Sequence, residues 1–181
     1  MDNLDFIDKF VNAKELYKKH GNLKAEGKRL YSYETCIAEK EKDTNGADIM
    51  LVSNNTFSMT TARHLYILRS KCAQAGILTV KLPQYYNSED FYGIHIINKI
   101  KDTLTWCYND GVSRKNVRET IIDNYEMLKS TLMLAKFNRV NYAGVNYNTY
   151  VNELLDQYRD LYNNAKEKER ARIEKLRAKY N

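Results

Sequence analysis

Apolar positions near the start of the chain follow a helical period. Phe6, Phe10, Ala13 and Tyr17 form one stripe, with Ile7 and Val11 beside it. Asp2 or Asn3 can cap this helix and Gly21 can close it. After a glycine-bearing loop, GNLKAEGK, the period changes to two. In residues 29–39 Tyr31, Tyr33, Thr35 and Ile37 share one face, and Leu30, Ser32, Glu34, Cys36 and Ala38 share the other. That alternation predicts a strand. KEKDTNGA, with Asn45-Gly46, predicts a hairpin turn into a second strand over 48–53. A helix follows from about Thr60 to Ala75, stopped by Gly76, and 77–82 has strand composition ending at Pro83.

The second half reads as helices. Ser88, followed by Glu89 and Asp90, can open one whose stripe is Ile94, Ile97 and Leu104, with Asp110-Gly111 as its break. Ser113 can cap the next, running to about Phe137 with Val117, Ile121, Tyr125, Leu128, Leu132 and Ala135 in register. NRVNYAGVN is a further break. The last helix starts near Tyr147 and carries Val151, Leu154, Tyr158, Leu161 and Ala165. Beyond Ala165 the stripe thins to Ile173, Leu176 and Tyr180, so that end is expected to project or fray unless a partner covers it. The expected class is α+β. A small unit over residues 1–82 has a helix, a β-hairpin or three-stranded sheet and a packed helix; a unit over 88–181 has about three helices. The two are expected to share one core.

The stretch NNTFSMTTARH, residues 54–64, stands where strand gives way to helix. Ser58, Thr60 or Thr61 can satisfy the free backbone N–H groups of a helix start. A second reading is an anion or partner site, in which those N–H groups, the hydroxyls of Thr60 and Thr61, Arg63 and His64 converge on one phosphate or carboxylate. Both stay open at this point. A nucleophile needs a base and an orienting group. Cys36 with His64 is the one pair conceivable across the strand–helix contact, and no paired carboxylates or glycine-rich phosphate loop occur. No catalytic residue, metal ligand or cofactor is assigned.

Composition narrows this further. The three cysteines, Cys36, Cys72 and Cys107, are widely spaced, without the Cys-x-x-Cys or His-x-x-x-His pairs of a zinc site or a disulfide framework. No apolar run reaches membrane-spanning length and the acidic N-terminus has no signal-peptide layout, so a cytoplasmic location in the host cell and no membrane partner are expected. Net charge is +6, of which the last sixteen residues carry +4. That basic end, with Arg170, Arg172 and Arg177, suits nucleic acid, an acidic protein surface or simply a solvated helix terminus.

The order Tyr31, Ser32, Tyr33, Thr35, Ile37, Ala38, then Phe57, Ser58, Thr60, Thr61, Arg63 and His64, resembles a small uncharacterised domain of phages and mobile elements of Gram-positive bacteria. The likeness covers roughly residues 30–70 and brings no established activity. It implies a phage context. Small phage accessory proteins commonly bind host machinery, and by analogy some resemble this one in being compact anti-CRISPR inhibitors of RNA-guided nucleases.

The fifteen tyrosines fit a contact role. Tyr85, Tyr86, Tyr142 and Tyr150 are the candidate aromatic surface, with Lys136 and Arg139 as neighbouring cations, since tyrosine combines a flat apolar face with a polar tip. The leading expectation is a non-enzymatic phage accessory protein that inhibits a host defence effector, such as a CRISPR-associated nuclease with its guide RNA, by occluding protein or nucleic-acid surfaces. The alternatives are a general DNA- or RNA-binding accessory protein and an enzyme with an unrecognised Cys/His site. Self-association stays open.

Overall fold

The computed structural model describes residues 1–54, 58–83, 94–134, 141–142 and 145–180; of 94, 95, 141, 142 and 145 it describes the backbone alone. The class is α+β, as the patterning predicts. The chain divides into two compact units, Met1–Tyr92 with Met133–Lys136, and Gly93–Leu132 with Phe137–Asn181.

The first unit opens with α1 (Asn3–Asn12). Asp2 caps it by accepting the Asp5 N–H at 2.8 Å, and the Asp5 carboxylate reaches back to the Asp2 N–H. Phe6, Ile7, Phe10 and Val11 form its buried face. Lys40 serves the other end, its Nζ donating to the Ala13 and Val11 carbonyls while lying 4.6 Å from the centre of the Phe10 ring.

The helix stops well short of the predicted Gly21. β1 (Leu16–His20) and β2 (Leu23–Gly27) pair antiparallel across a two-residue Gly21-Asn22 turn. Glycine with positive φ leads that turn, as a two-residue hairpin favours. Tyr17, assigned by period to the helical stripe, is instead 76% exposed on an edge strand.

The predicted strand over 29–39 is likewise two strands, β3 (Arg29–Ser32) and β4 (Thr35–Lys42), folded back at Tyr33-Glu34. Tyr33 takes φ 55°, and two bonds to Asn22 hold it there: Tyr33 N–H to the Asn22 carbonyl at 2.7 Å and Asn22 Nδ2 to the Tyr33 hydroxyl at 2.9 Å. The Asn45-Gly46 turn into β5 (Asp48–Ser53) forms as predicted, with Asp43 Oδ1 accepting the Asn45 and Ala47 N–H groups.

α2 (Met59–Gln74) then carries the chain over to β6 (Leu78–Leu82), which lies parallel to β5. The result is one six-stranded sheet in chain order, in place of the expected hairpin or three strands. Phe6, Phe10 and Val11 of α1 and Leu65, Leu68 and Cys72 of α2 form one core with Leu23, Leu30, Ile37, Met50 and Val52 of the sheet.

The second unit contains α3 (Ile94–Asp110), α4 (Lys115–Thr131), the short pair β7 (Asn141–Tyr142) and β8 (Val145–Asn146), and the 34-residue α5 (Tyr147–Tyr180). The N-cap of α4 is Arg114, and Ser113 contributes its carbonyl instead, to Arg118 at 2.7 Å. α4 also ends at Thr131 and not near Phe137. Leu134 bridges to Asp43, and the Met133 carbonyl accepts from Thr44 N–H at 2.9 Å. The proposed cap at Ser88 lies outside the described residues.

Strand and helix readings of residues 16–20 make different predictions. Phe10→Ala should cost about 3–5 kcal/mol, as for other buried aromatics. Tyr17→Ala should stay within about 1 kcal/mol, as at an exposed position. Urea unfolding followed by far-UV circular dichroism measures both, and equal losses would favour one continuous helix.

Candidate functional site

The residues singled out around the start of α2 fall into two groups, because neighbours on a helix point about 100° apart. Thr61 and His64, three apart, turn inward with Leu65, Leu68 and Cys72. Arg63 is exposed and Thr60 half-buried. The cap is Ser58, whose Oγ accepts the Thr61 N–H at 3.1 Å. The structure therefore does not bring Thr60, Thr61, Arg63 and His64 together around one anion.

What it does assemble is a polar chain with a buried centre, Ser32, Thr61 and His64, between the half-buried Asn3 and the exposed Ser58. His64, 1% exposed, has Asn3 Nδ2 at 3.2 Å from Nε2 and Ser32 Oγ at 2.9 Å from Nδ1. Ser32 Oγ lies 3.2 Å from Thr61 Oγ1, which lies 3.1 Å from Ser58 Oγ. Donor and acceptor roles follow from one end. The Asn3 amide donates to Nε2, so the ring proton sits on Nδ1 and goes to Ser32. Ser32 then donates to Thr61, and Thr61 to Ser58. This order uses a neutral imidazole with both nitrogens occupied. Burial, and secondarily the neighbouring Arg63 charge, push the His64 pKa below its ordinary value, which favours the same state. The chain ties the starts of α1 and α2 to the last residue of β3.

A serine hydroxyl on an imidazole nitrogen is the first half of a nucleophile–base pair. Here the other nitrogen faces an amide in place of a carboxylate, and Ser32 is 1% exposed. The geometry holds elements in place and offers a substrate no approach to Ser32. Cys36 does not join His64; its Sγ faces the Ala38 carbonyl at 3.5 Å. Burial pushes the Cys36 thiol up to about 12 and the Cys72 thiol up to about 11, so both are protonated at neutral pH. Among the described residues no group of three His, Cys, Asp or Glu side chains could hold a metal ion.

The aromatic candidates fare differently. Tyr85 and Tyr86, with Lys136 and Arg139, lie outside the described residues. Of Tyr142 only its place in β7 is described. Tyr150 is half-buried, its hydroxyl 3.4 Å from Asn98 Oδ1. Other tyrosines fill the helical seams. Tyr125 stacks on Tyr162 with centroids 4.1 Å apart and donates to the Leu155 carbonyl at 3.1 Å. Tyr158 and Thr105 hydroxyls meet at 2.6 Å.

The basic end is partly engaged. Glu169 receives Arg118 Nε at 3.3 Å and Arg172 Nε at 2.8 Å. Arg172, with Arg118 as the lesser contributor, holds this carboxyl below the usual range. Arg118 is buried and also donates to the Val112 and Ser113 carbonyls, so it locks the α3–α4 turn to α5. Arg170 pairs with Glu174 at 3.2 Å. Arg177 is exposed. Sequence reasoning missed Arg118 entirely, since it reads as one more surface cation of a helical stretch. It also missed Asn3 and Ser32 as partners of His64, which only the folded sheet brings near.

Beyond Glu169 the apolar stripe of α5 resumes. Ile173, Leu176 and Tyr180 are 40%, 41% and 79% exposed. α4 begins at Lys115, and its Arg118 already faces Glu169. The two helices run antiparallel, so the last two turns of α5 extend past the end of α4.

Comparison with known proteins places residues 7–79 in similarity to a family of unknown function (DUF8033). That range runs from α1 into β6 and includes Ser32, Ser58, Thr61 and His64. No curated protein and no solved structure matches the chain. No helix of the described residues is long and apolar enough to cross a membrane.

Ser32→Ala and His64→Ala should each cost about 1–3 kcal/mol, the penalty of stranding a buried polar partner. The double variant should cost less than their sum, because the two residues share one bond. The pH dependence has a definite sign. His64 binds fewer protons folded than unfolded, so its contribution is complete above its ordinary value, 6.5, and declines as pH falls below it. Urea unfolding at pH 7.5 and 5.5 should show a smaller drop for His64→Gln than for the wild type.

Proposed function

We propose that this protein works by binding another macromolecule, without turnover, and that the free end of α5 is its contact surface. One observation carries the reading: the apolar stripe of α5 continues past the point where its own bundle ends, leaving Ile173, Leu176 and Tyr180 exposed in a line. A soluble protein seldom keeps such a line uncovered without a use for it. The burial of Ser32, Cys36 and His64 supports the same reading, since the groups best suited to chemistry are the least accessible.

The partner to test first is the one implied by the phage-domain resemblance, a host defence effector of the CRISPR-associated nuclease class, inhibited by occlusion. Nucleic acid is the second reading, favoured by Lys168, Lys175, Arg177 and Lys179 on the exposed end of α5. It is weakened by the engagement of Arg170 and Arg172 with glutamates.

The test compares the full chain with a variant ending at Arg172. Removing residues 173–181 should leave the thermal midpoint within about 2 °C, because the deleted turns lie beyond the seam. The same deletion should abolish both inhibition of the nuclease and its co-purification, with and without nuclease digestion of the sample. A truncated protein that still inhibits and still co-purifies would overturn the assignment of α5.

A further inference from the structure

The end of α5 carries a specific charge layout in addition to exposed apolar groups. Counting in sevens along the helix, Ile173 and Tyr180 share one core position and Leu176 takes the other. The four positions flanking that seam are Arg170 and Arg177 on one side and Arg172 and Lys179 on the other. All four are basic. In helix pairing the flanking positions choose the partner, since like charges across the seam repel and opposite charges attract.

We propose that residues 170–180 dock a helix of a partner protein with an apolar seam and acidic flanking positions. This rests on the contact reading above and deepens it by naming the chemistry of the partner. Three features of the chain choose this occupant. A second copy would set basic flanks against basic flanks, so self-pairing of this segment is disfavoured. A duplex needs cations over phosphates and makes no use of an Ile–Leu–Tyr line at the centre of the basic face. For an anionic vesicle surface, two turns with three large apolar groups supply little area to insert.

The acidic helix also fits the groups already present. Arg177 and Lys179 have no carboxylate within 4 Å among the described residues. Arg170 and Arg172 hold glutamates of their own helix, Glu174 and Glu169, so the two outermost cations are the ones left to meet a partner. Glu169 marks where the intramolecular seam closes and where an intermolecular one can start.

The experiment uses the full chain and fluorescence anisotropy with four labelled probes. They are a designed helical peptide with leucine core positions and glutamate flanks, a peptide of the same composition in scrambled order, a 20-base-pair DNA duplex, and vesicles of mixed neutral and anionic phospholipid. The glutamate-flanked peptide should bind at least 10-fold more tightly than the scrambled one. Ile173→Ser with Leu176→Ser should weaken it at least 10-fold. Arg177→Glu with Lys179→Glu should abolish it and create preference for a lysine-flanked version of the peptide. All these positions are exposed, and circular dichroism checks that the fold is kept.

Equal binding of ordered and scrambled peptides would overturn the proposal. So would tighter binding to duplex or vesicles, or charge reversal without a switch of preference. If the chain ending at Arg172 loses the host partner while the ordered peptide fails to bind, the helix partner is wrong and the contact reading survives. If that truncated chain retains the host partner, the contact reading itself falls.

Discussion

An imidazole buried at the meeting point of two helix starts and a strand end has to be neutral, and both its nitrogens need partners. His64 meets both conditions through Asn3 and Ser32. Much of the first unit follows from this constraint. Asn3 is the first residue of α1, so its amide fixes where that helix begins over the sheet. Ser32 is the last residue of β3, so its hydroxyl fixes where the strand must turn. Thr61 and Ser58 extend the same chain to the cap of α2. The buried centre of this network, Ser32, Thr61 and His64, favours one arrangement, because a shift there strands a donor or acceptor at a cost of about 1–3 kcal/mol. The apolar core supplies the larger driving force but is more tolerant of small displacements.

This gives the serine, threonine and histidine of the NNTFSMTTARH stretch a structural account that does not call on a ligand. Cap and network together use Ser58, Thr61 and His64. Thr60 and Arg63 point elsewhere. The contact function is therefore sought in the second unit, where Glu169 between two arginines closes one seam and an apolar line runs on without one.

The elements most legible in the sequence were those with strong punctuation. Ser58 and Gly76 bracket α2, Asn45-Gly46 marks the β4–β5 turn, and Tyr147 opens α5. The misread elements lacked it. Ala13 and Tyr17 happen to continue the helical period of α1, and LYKKH contains no β-branched residue, so an edge strand passed for helix. The turn at Tyr33 has no glycine or proline; its positive φ is held by Asn22 from a neighbouring hairpin, a contact no local pattern contains. At the site, the spacing of Thr61 and His64 already pointed both toward the face of Leu65 and Leu68, and the adjacency of Arg63 and His64 was the misleading cue. The free line of Ile173, Leu176 and Tyr180 was legible, whereas the role of Arg118 in closing the seam below it was not.

The return of Met133 and Leu134 to the Asp43 turn has a bearing on biogenesis. The first unit receives a bridge partner for that turn from a point some forty residues beyond its own last stretch, after two helices of the other unit have been made. On the ribosome, all six strands are therefore made before this turn can gain its bridge partner from a later part of the message. For the same reason, a gene fragment cut after Leu82 yields a piece that has all six strands but lacks the Met133 carbonyl that accepts from Thr44 N–H.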